Sequence, residues 1–213
     1  MSPQHVPVRD GDSVKIDLHV HTRERSPCAH SPTEQMIRAA IDSGLEGMVI
    51  SDHDRLVPPE RLRYFNVKYA PFRVFGGVEV TLAGEHVLVL GVQVHLLQRR
   101  RWTYPDLHAL VEDQGGFMAL AHPFRFNGCL EVDVERFPPH ALELYSRNTP
   151  RRAEADIRVV AAALGVPLLS NSDAHGAGDI GLYYNALHEA PEDVEALVAL
   201  LKAGAFTPVA PSD

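Results

Sequence analysis

"KIDLHVHT", Lys15 to Thr22, sets Asp17, His19 and His21 at every second residue between apolar neighbours. A strand sends alternate side chains to one face. Two imidazoles and a carboxylate are therefore expected on one side, with Ile16, Leu18 and Val20 forming an ordinary core on the other. Histidine lining a strand that could bury both faces means either a wet, inert face or a face that holds a cation.

Working outward, the polar loop after Thr22 leads to "SPTEQMIRAAIDSGL". Ser31 is placed to cap this helix, with Pro32 at its first position and Glu34 completing a capping box. Gly44 ends it. "GMVISDH" (47–53) reads as a second strand, followed by a helix near "PPERLRYFNVKYA". "FRVFGGVEVTL" and "HVLVLGVQV" read as a strand pair around "AGE". The helix "YPDLHALVEDQG" precedes the strand "FMALAHPF". "ALELYS", a helix over 150–164, "VPLLSNSDAH", a last helix over 191–203 and a short apolar tail follow. Repeated strand–helix units imply a mostly parallel sheet of about six or seven strands with helices outside, as a doubly wound sheet or small barrel. Functional groups then gather at the C-terminal ends of the strands. His19, His21, His53, Glu79, His122, Asp173 and His175 all fall late in their strands.

The chain of 213 residues suits one domain, read as 1–213 with a polar N-terminal extension over 1–13. With 45% hydrophobic and 23% charged residues it reads as a soluble globular protein. A formal net charge of -8 argues against a general polyanion binder. The basic cluster "QRRRW" (Gln98 to Trp102) reads as a solvated turn. Two cysteines, Cys28 and Cys129, make no disulfide framework, and the first residues resemble no signal peptide. A cytoplasmic setting is expected, with no membrane span and no implied protein partner.

Histidine is the outlier, with 12 in the chain. His5, His95, His108, His140 and His188 belong to no strand-end cluster and read as ordinary core or surface residues. The others converge. Unpaired polar groups at a buried rim cost on the order of a few kcal/mol each, and a divalent metal removes that penalty. His19, His21, His53, Glu79, His86, His122, Asp173 and His175 offer more donors than one ion takes, so two or three ions are expected. The mixture of imidazole and carboxylate suits zinc, manganese or iron.

In order and spacing, "DLHVHT", "SDHD", "GVEVT", "AHPFR", "LELYSRN", "SNSDAH" and "GDIG" resemble the PHP superfamily, named for polymerase and histidinol phosphatase domains. The resemblance covers nearly the whole chain. It implies an α/β fold, a distorted (β/α)7 barrel with a metal cluster at the C-terminal rim, and hydrolysis of phosphate esters. Carried over, His19, His21 and Asp173 hold one metal, Glu79 bridges to a second held by His86 and His122, and His53 and His175 hold a third. The remaining ligand falls in "RERSPCAHSP", where family members show His or Asp. Here the aligned position is Cys28, with His30 two residues on; either completes the third site, or that site stays open.

Two metals about 3.5–4 Å apart clamp the attacking and leaving oxygens of a phosphoryl transfer, a bridging hydroxide attacking phosphorus in line. Glu79, Asp173 and His175 are the expected catalytic groups; the leaving group takes its proton from His175, a metal-bound water or solvent. Arg125 is the leading candidate for gripping phosphate and Arg147 the second, with Arg23 and Arg25 in the loop after the first ligand pair. Asp17 and Asp52 are expected to orient imidazoles or the neighbouring backbone, and Asp54 and Glu143 are further polar groups at strand ends. Loops 55–72, 95–104 and 124–140 carry aromatics (Tyr64, Phe65, Tyr69, Phe72, Trp102, Phe124, Phe126), some expected to contact substrate and several to be core. The expected partner is a small phosphorylated substrate, a nucleotide or a short oligonucleotide. A nuclease trimming single-stranded ends, a non-catalytic metal-binding accessory domain and a hydrolase of C–N or lactone bonds are the competing readings.

Overall fold

A computed structural model describes residues 13–82, 84–92, 97 and 101–211. His5, His95, residues 1–12 of the N-terminal extension and most of "QRRRW" lie outside the described residues. Within them, nine strands form one sheet: β1 (Val14–Val20), β2 (Gly47–Ile50), β3 (Arg73–Thr81), β4 (His86–Leu90), β5 (Phe117–Ala121), β6 (Ala141–Tyr145), β7 (Leu168–Ser170), β8 (Tyr184–Leu187) and β9 (Phe206–Val209). The helices are α1 (Thr33–Asp42), α2 (Pro59–Lys68), α3 (Tyr104–Asp113), α4 (Glu154–Leu164) and α5 (Val194–Lys202).

The strand order is β7-β6-β5-β4-β3-β2-β1-β8-β9. The sheet curls until its ends nearly meet. At the upper rim, Ala174 forms a parallel bridge with Val20, so the chain leaving β7 lies against β1. Lower down, side chains join the seam: Ser170 Oγ donates to the Val209 carbonyl at 2.5 Å, and Asn185 bonds both the N–H and the C=O of Ser170. The result is a mixed α/β fold around a nearly closed, barrel-like sheet. Among the described residues its nine strands and five helices differ from the seven-fold count of the expected distorted (β/α)7 barrel, and the sheet is not mostly parallel. β4 runs antiparallel to both neighbours, as does β8, and β8 and β9 are additions.

Reversal of β4 matters for the rim. His86 is its first residue and pairs with Thr81 at the end of β3, so a hairpin returns an imidazole to the end where Glu79 already stands. A strand-end rule for parallel units would not place it there.

β1 corrects the simple alternation. Its register with β2 slips by one residue, Asp17 facing Met48 and Val20 facing Ile50. Such a slip flips later side chains to the other face. Ile16 and Leu18 accordingly join the barrel interior, with Val49, Phe75, Leu88, Phe117, Ala119 and Leu187. Val20 joins an outer cluster with Met36, Ile37 and Ala40 of α1. Asp17 Oδ1 accepts the N–H groups of His19 and Ser172, both at 3.1 Å, within the irregularity. The bulge lets apolar residues fill the barrel below while His19 and His21 reach its rim above. α5 packs at the opposite end, where Val198 meets the Gly91 backbone beyond β4.

Helix α1 begins at Thr33, and Ser31 does not cap it. The Glu24 carboxylate accepts from Thr33 N–H (3.0 Å to Oε2) and Thr33 Oγ1 (3.1 Å), while Ser31 Oγ takes the N–H of Ala177. A negative group at a helix N-terminus also complements the helix dipole. Among the described residues, no helix is long and apolar enough to cross a membrane.

Candidate metal centre

Glu79 lies at the centre of the rim, wholly buried. Its Oε1 is 2.8 Å from His86 Nδ1 and 3.1 Å from His122 Nε2. Its Oε2 is 3.0 Å from His53 Nδ1, 3.2 Å from His21 Nε2 and 3.4 Å from His19 Nε2. Opposite, Asp173 Oδ1 stands 3.1 Å from His21 Nε2 and 3.3 Å from His19 Nε2. Three sets have donor atoms close enough to share an ion: His19, His21 and Asp173; His53, Glu79 and His86; and His21, His53 and His175. Donors from separate strands and their trailing loops therefore converge on one place.

The site fits divalent cations. Glu79 Oε2 receives no hydrogen bond despite complete burial and three nearby imidazole nitrogens, and His53 Nδ1 is likewise unpartnered. The two Nε2 atoms of His19 and His21 are 3.0 Å apart and aimed at the same carboxylates. These are the marks of groups converging on a point, with more donors than the bonds among them use. Charge agrees. Burial alone would lower the affinity of His19 for a proton, yet Asp173, Glu79 and Glu143 carry its pKa well above the ordinary value. Burial opposes ionisation of Glu79 and Asp173 too, but the charge on His19 and bonds from neighbouring imidazoles hold both carboxyls below their usual range. The pocket demands positive charge, which the protein alone meets with protons and a cation would meet directly.

Around the donors is a second layer. Glu143 Oε1 is 3.0 Å from His19 Nδ1, and its Oε2 accepts the N–H of His122 at 2.9 Å. Asn171 donates to Glu143 at 2.8 Å and accepts from Asn185 at 2.9 Å, so a buried relay joins the barrel seam to His19. Asp52 accepts from Thr22 N–H, Thr22 Oγ1 and Ser26 Oγ at 2.6–2.7 Å, and Ser26 Oγ lies 3.2 Å from His21 Nδ1. Asn148 donates to Asp173 Oδ2 at 2.7 Å. Sequence reasoning misses Ser26, Asn148, Asn171 and Asn185; the crowding of small polar residues in "SNSD" and "SRN" is the signal that could have found some of them. Asp17 bonds backbone N–H groups rather than an imidazole, and burial pushes its carboxyl up to about 6. Asp54 holds the Thr81 N–H at 2.9 Å.

Two donors stand on strained backbone. His122 and Asp173 have φ of 29° and 50°, a region that non-glycine residues rarely occupy. Such strain persists when surrounding bonds enforce it, and it gathers at functional sites. Glu143 enforces it at His122 and Asn148 at Asp173.

Other candidates divide. Arg125 NH1 is 3.5 Å from Asp173 Oδ2, at the rim. Arg147 is tied to Asp179 at 2.9 Å, and Asp179 in turn accepts the His175 and Gly176 N–H groups, so this arginine braces the His175 turn. Cys28 and His30 are exposed and join none of the three donor sets. Burial raises the Cys28 thiol pKa, and the charges of Glu79, Asp173 and Asp52 raise it further. Of the loop aromatics, Phe65 and Phe72 are core, and Phe126 is exposed. The cavity bordered by Leu56, Arg63, Asn66 and Glu192 includes no rim imidazole.

A family model described as PHP-associated matches residues 153–206. Three solved structures share the fold. PsfC from Pseudomonas syringae is 18% identical with a TM-score of 0.68, over 94% of this chain and 93% of that one. A two-domain protein from Bacteroides vulgatus, described as containing a predicted PHP-like metal-dependent phosphoesterase, is 16% identical with a TM-score of 0.68, over 97% and 67%. The lesion-specific endonuclease PfuEndoQ from Pyrococcus furiosus is 16% identical with a TM-score of 0.67, over 92% and 57%. No curated protein sequence matches the chain. The family match is confined to residues 153–206, and the three structures, at 16–18% identity, show a shared fold.

Proposed function

We propose that the chain is a metal-dependent phosphoesterase that hydrolyses a small phosphomonoester or a short nucleotide. The observation that carries this is Glu79 Oε2, buried, unpartnered and within 3.4 Å of three imidazole nitrogens. His19, His21 and Asp173 would hold one ion, and Glu79, His86 and His122 would hold a second. A third would be held by His53 and His175, with Cys28 or His30 as the remaining donor or that position open; His21 lies close enough to both to share an ion with them only in place of the first. Zinc, manganese or iron in these positions supplies Lewis acidity and a nucleophile at neutral pH.

The remaining roles belong to the chain. Glu79 and Asp173 fix the spacing of the donor sets. His175 Nδ1 is engaged by the Asp173 carbonyl at 2.9 Å. Its Nε2 is left with a lone pair that would hold the third ion, and the departing oxygen would take its proton from solvent. Arg125, partly exposed beside Asp173, reaches for the phosphoryl oxygens as a planar donor. The nearly complete donor set argues against a non-catalytic accessory, and the guanidinium favours phosphate over C–N or lactone bonds.

A screen of metal-loaded protein across phosphosugars, histidinol phosphate, nucleotides and single-stranded oligonucleotides, run with metal quantification, tests the reading. Hydrolysis that His19→Ala abolishes supports it; no hydrolysis, with His19→Ala still binding metal normally, ends it. Cleavage confined to oligonucleotides would make the chain a nuclease.

A further inference from the structure

The turn after His122 carries two side chains that the metal centre does not use. Arg125 N–H bonds back to the His122 carbonyl at 3.2 Å, and Phe124 adopts φ of 63°, a second strained residue in the same turn. This turn throws Phe126 over the rim. Its ring centroid is 5.2 Å from that of His86 and 5.9 Å from that of His122, the latter edge-on. The Arg125 guanidinium carbon lies 5.2 Å from the same ring, and its NH1 reaches Asp173. Phe126 is nevertheless 51% exposed.

A lone exposed phenylalanine is commonplace. This one differs in being held against two imidazoles of the donor cluster by a strained turn, with a guanidinium beside it. An open aromatic ring offers a flat π-surface, on which bases and other aromatic rings stack with little regard to their hydrogen-bonding edges. The guanidinium beside it fits a phosphate two-pronged. The two groups therefore match the two ends of one ligand.

Building on the phosphoesterase reading, we propose that Phe126 and Arg125 form a clamp selecting phosphate esters whose leaving group carries an aromatic ring, as a nucleoside does. The ring stacks on Phe126 while Arg125 takes the phosphate toward the metal-binding rim. Specificity resides in a turn of β5's trailing loop, and the metal donors stay indifferent to the leaving group.

Adenosine monophosphate and ribose phosphate form a matched pair of probes, since both release an alkoxide and differ in the base. The expected result is a higher kcat/KM for adenosine monophosphate with the metal-loaded wild type. Phe126→Leu, which keeps apolar bulk, should raise the KM for adenosine monophosphate about ten-fold and remove its advantage over ribose phosphate. Phe126→Trp should retain the preference. Equal hydrolysis of both probes, or a preference that Phe126→Leu leaves intact, overturns the clamp while the phosphoesterase reading stands. If neither probe is hydrolysed, calorimetric binding of both decides: tighter adenosine monophosphate binding that Phe126→Leu weakens supports the clamp, and equal binding overturns it.

Discussion

Glu143 holds His19 and His122 with one carboxylate: Oε1 lies 3.0 Å from His19 Nδ1, and Oε2 takes the backbone N–H of His122 at 2.9 Å. The first contact turns Nδ1 toward Glu143 and so leaves Nε2 as the nitrogen that faces Glu79 and Asp173. The second fixes a strained backbone that delivers another imidazole. One buried side chain from β6 thereby aligns donors from β1 and β5.

Replacing it with the isosteric amide turns one acceptor oxygen into a donor, which must face either the His122 N–H or His19. Glu143→Gln is expected to weaken metal binding about 10–100-fold with the fold retained. Calorimetric metal titration together with circular dichroism checks this; unchanged affinity would show that Glu143 does not orient the donors.

Removing metal should lower stability, because carboxylates and imidazoles buried for a cation are left to share protons. Melting temperature should then rise with added zinc or manganese, by the equivalent of about 3 kcal/mol at a hundredfold excess over Kd. In His21→Ala, which loses a member of two donor sets, the rise should shrink. A melting temperature indifferent to metal in the wild type would contradict the assignment.

Asn185 closes the barrel seam through three bonds, to Ser170 N–H at 3.1 Å, Ser170 C=O at 2.7 Å and Asn171 at 2.9 Å. Asn185→Ala leaves buried backbone groups unsatisfied and should cost about 2–4 kcal/mol, read as a lower urea midpoint at constant m-value. Since Asn171 also orients Glu143, metal affinity should fall in the same variant.

His140 supplies a pH dependence away from the rim. Its Nδ1 accepts the Met118 N–H at 3.2 Å, which requires the neutral ring. Burial lowers its pKa below 6.5, the nearby Lys202 adding to this and Glu112, 3.1 Å away, opposing it. With the folded pKa depressed, the unfolded chain binds the proton more readily. The stabilisation is complete above the unfolded value near 6.5 and is lost as pH falls through the folded value. Unfolding midpoints at pH 7.5 and 5.5 should therefore differ less in His140→Gln than in the wild type.

Most donors could be read from the chain, because imidazole and carboxylate at strand ends have few bland explanations when they recur. What stayed hidden depended on contacts made across the fold. The slip in β1 reverses which residues share a side, and nothing within "KIDLHVHT" announces it, since its cause includes the partner strand and Ser172. β8 and β9, "YNAL" and "FTPV", are four residues each and too short to show periodicity. The α1 cap came from Glu24, beyond the expected window, because Ser31 found a partner in the loop before β8. Glu143 showed its residue type at a strand end, but its two imidazole-bearing partners lie 124 and 21 residues away in sequence.

The rim bridge between Val20 and Ala174 also fixes when the centre comes into being. His21 and Asp173, 152 residues apart, become neighbours only once that bridge closes the ring. Long-range closures of this kind are paid in chain entropy and come late in folding. Earlier conformers expose at most partial sets such as the β3–β4 hairpin pair, Glu79 and His86. Full affinity for metal is therefore expected only of the finished topology.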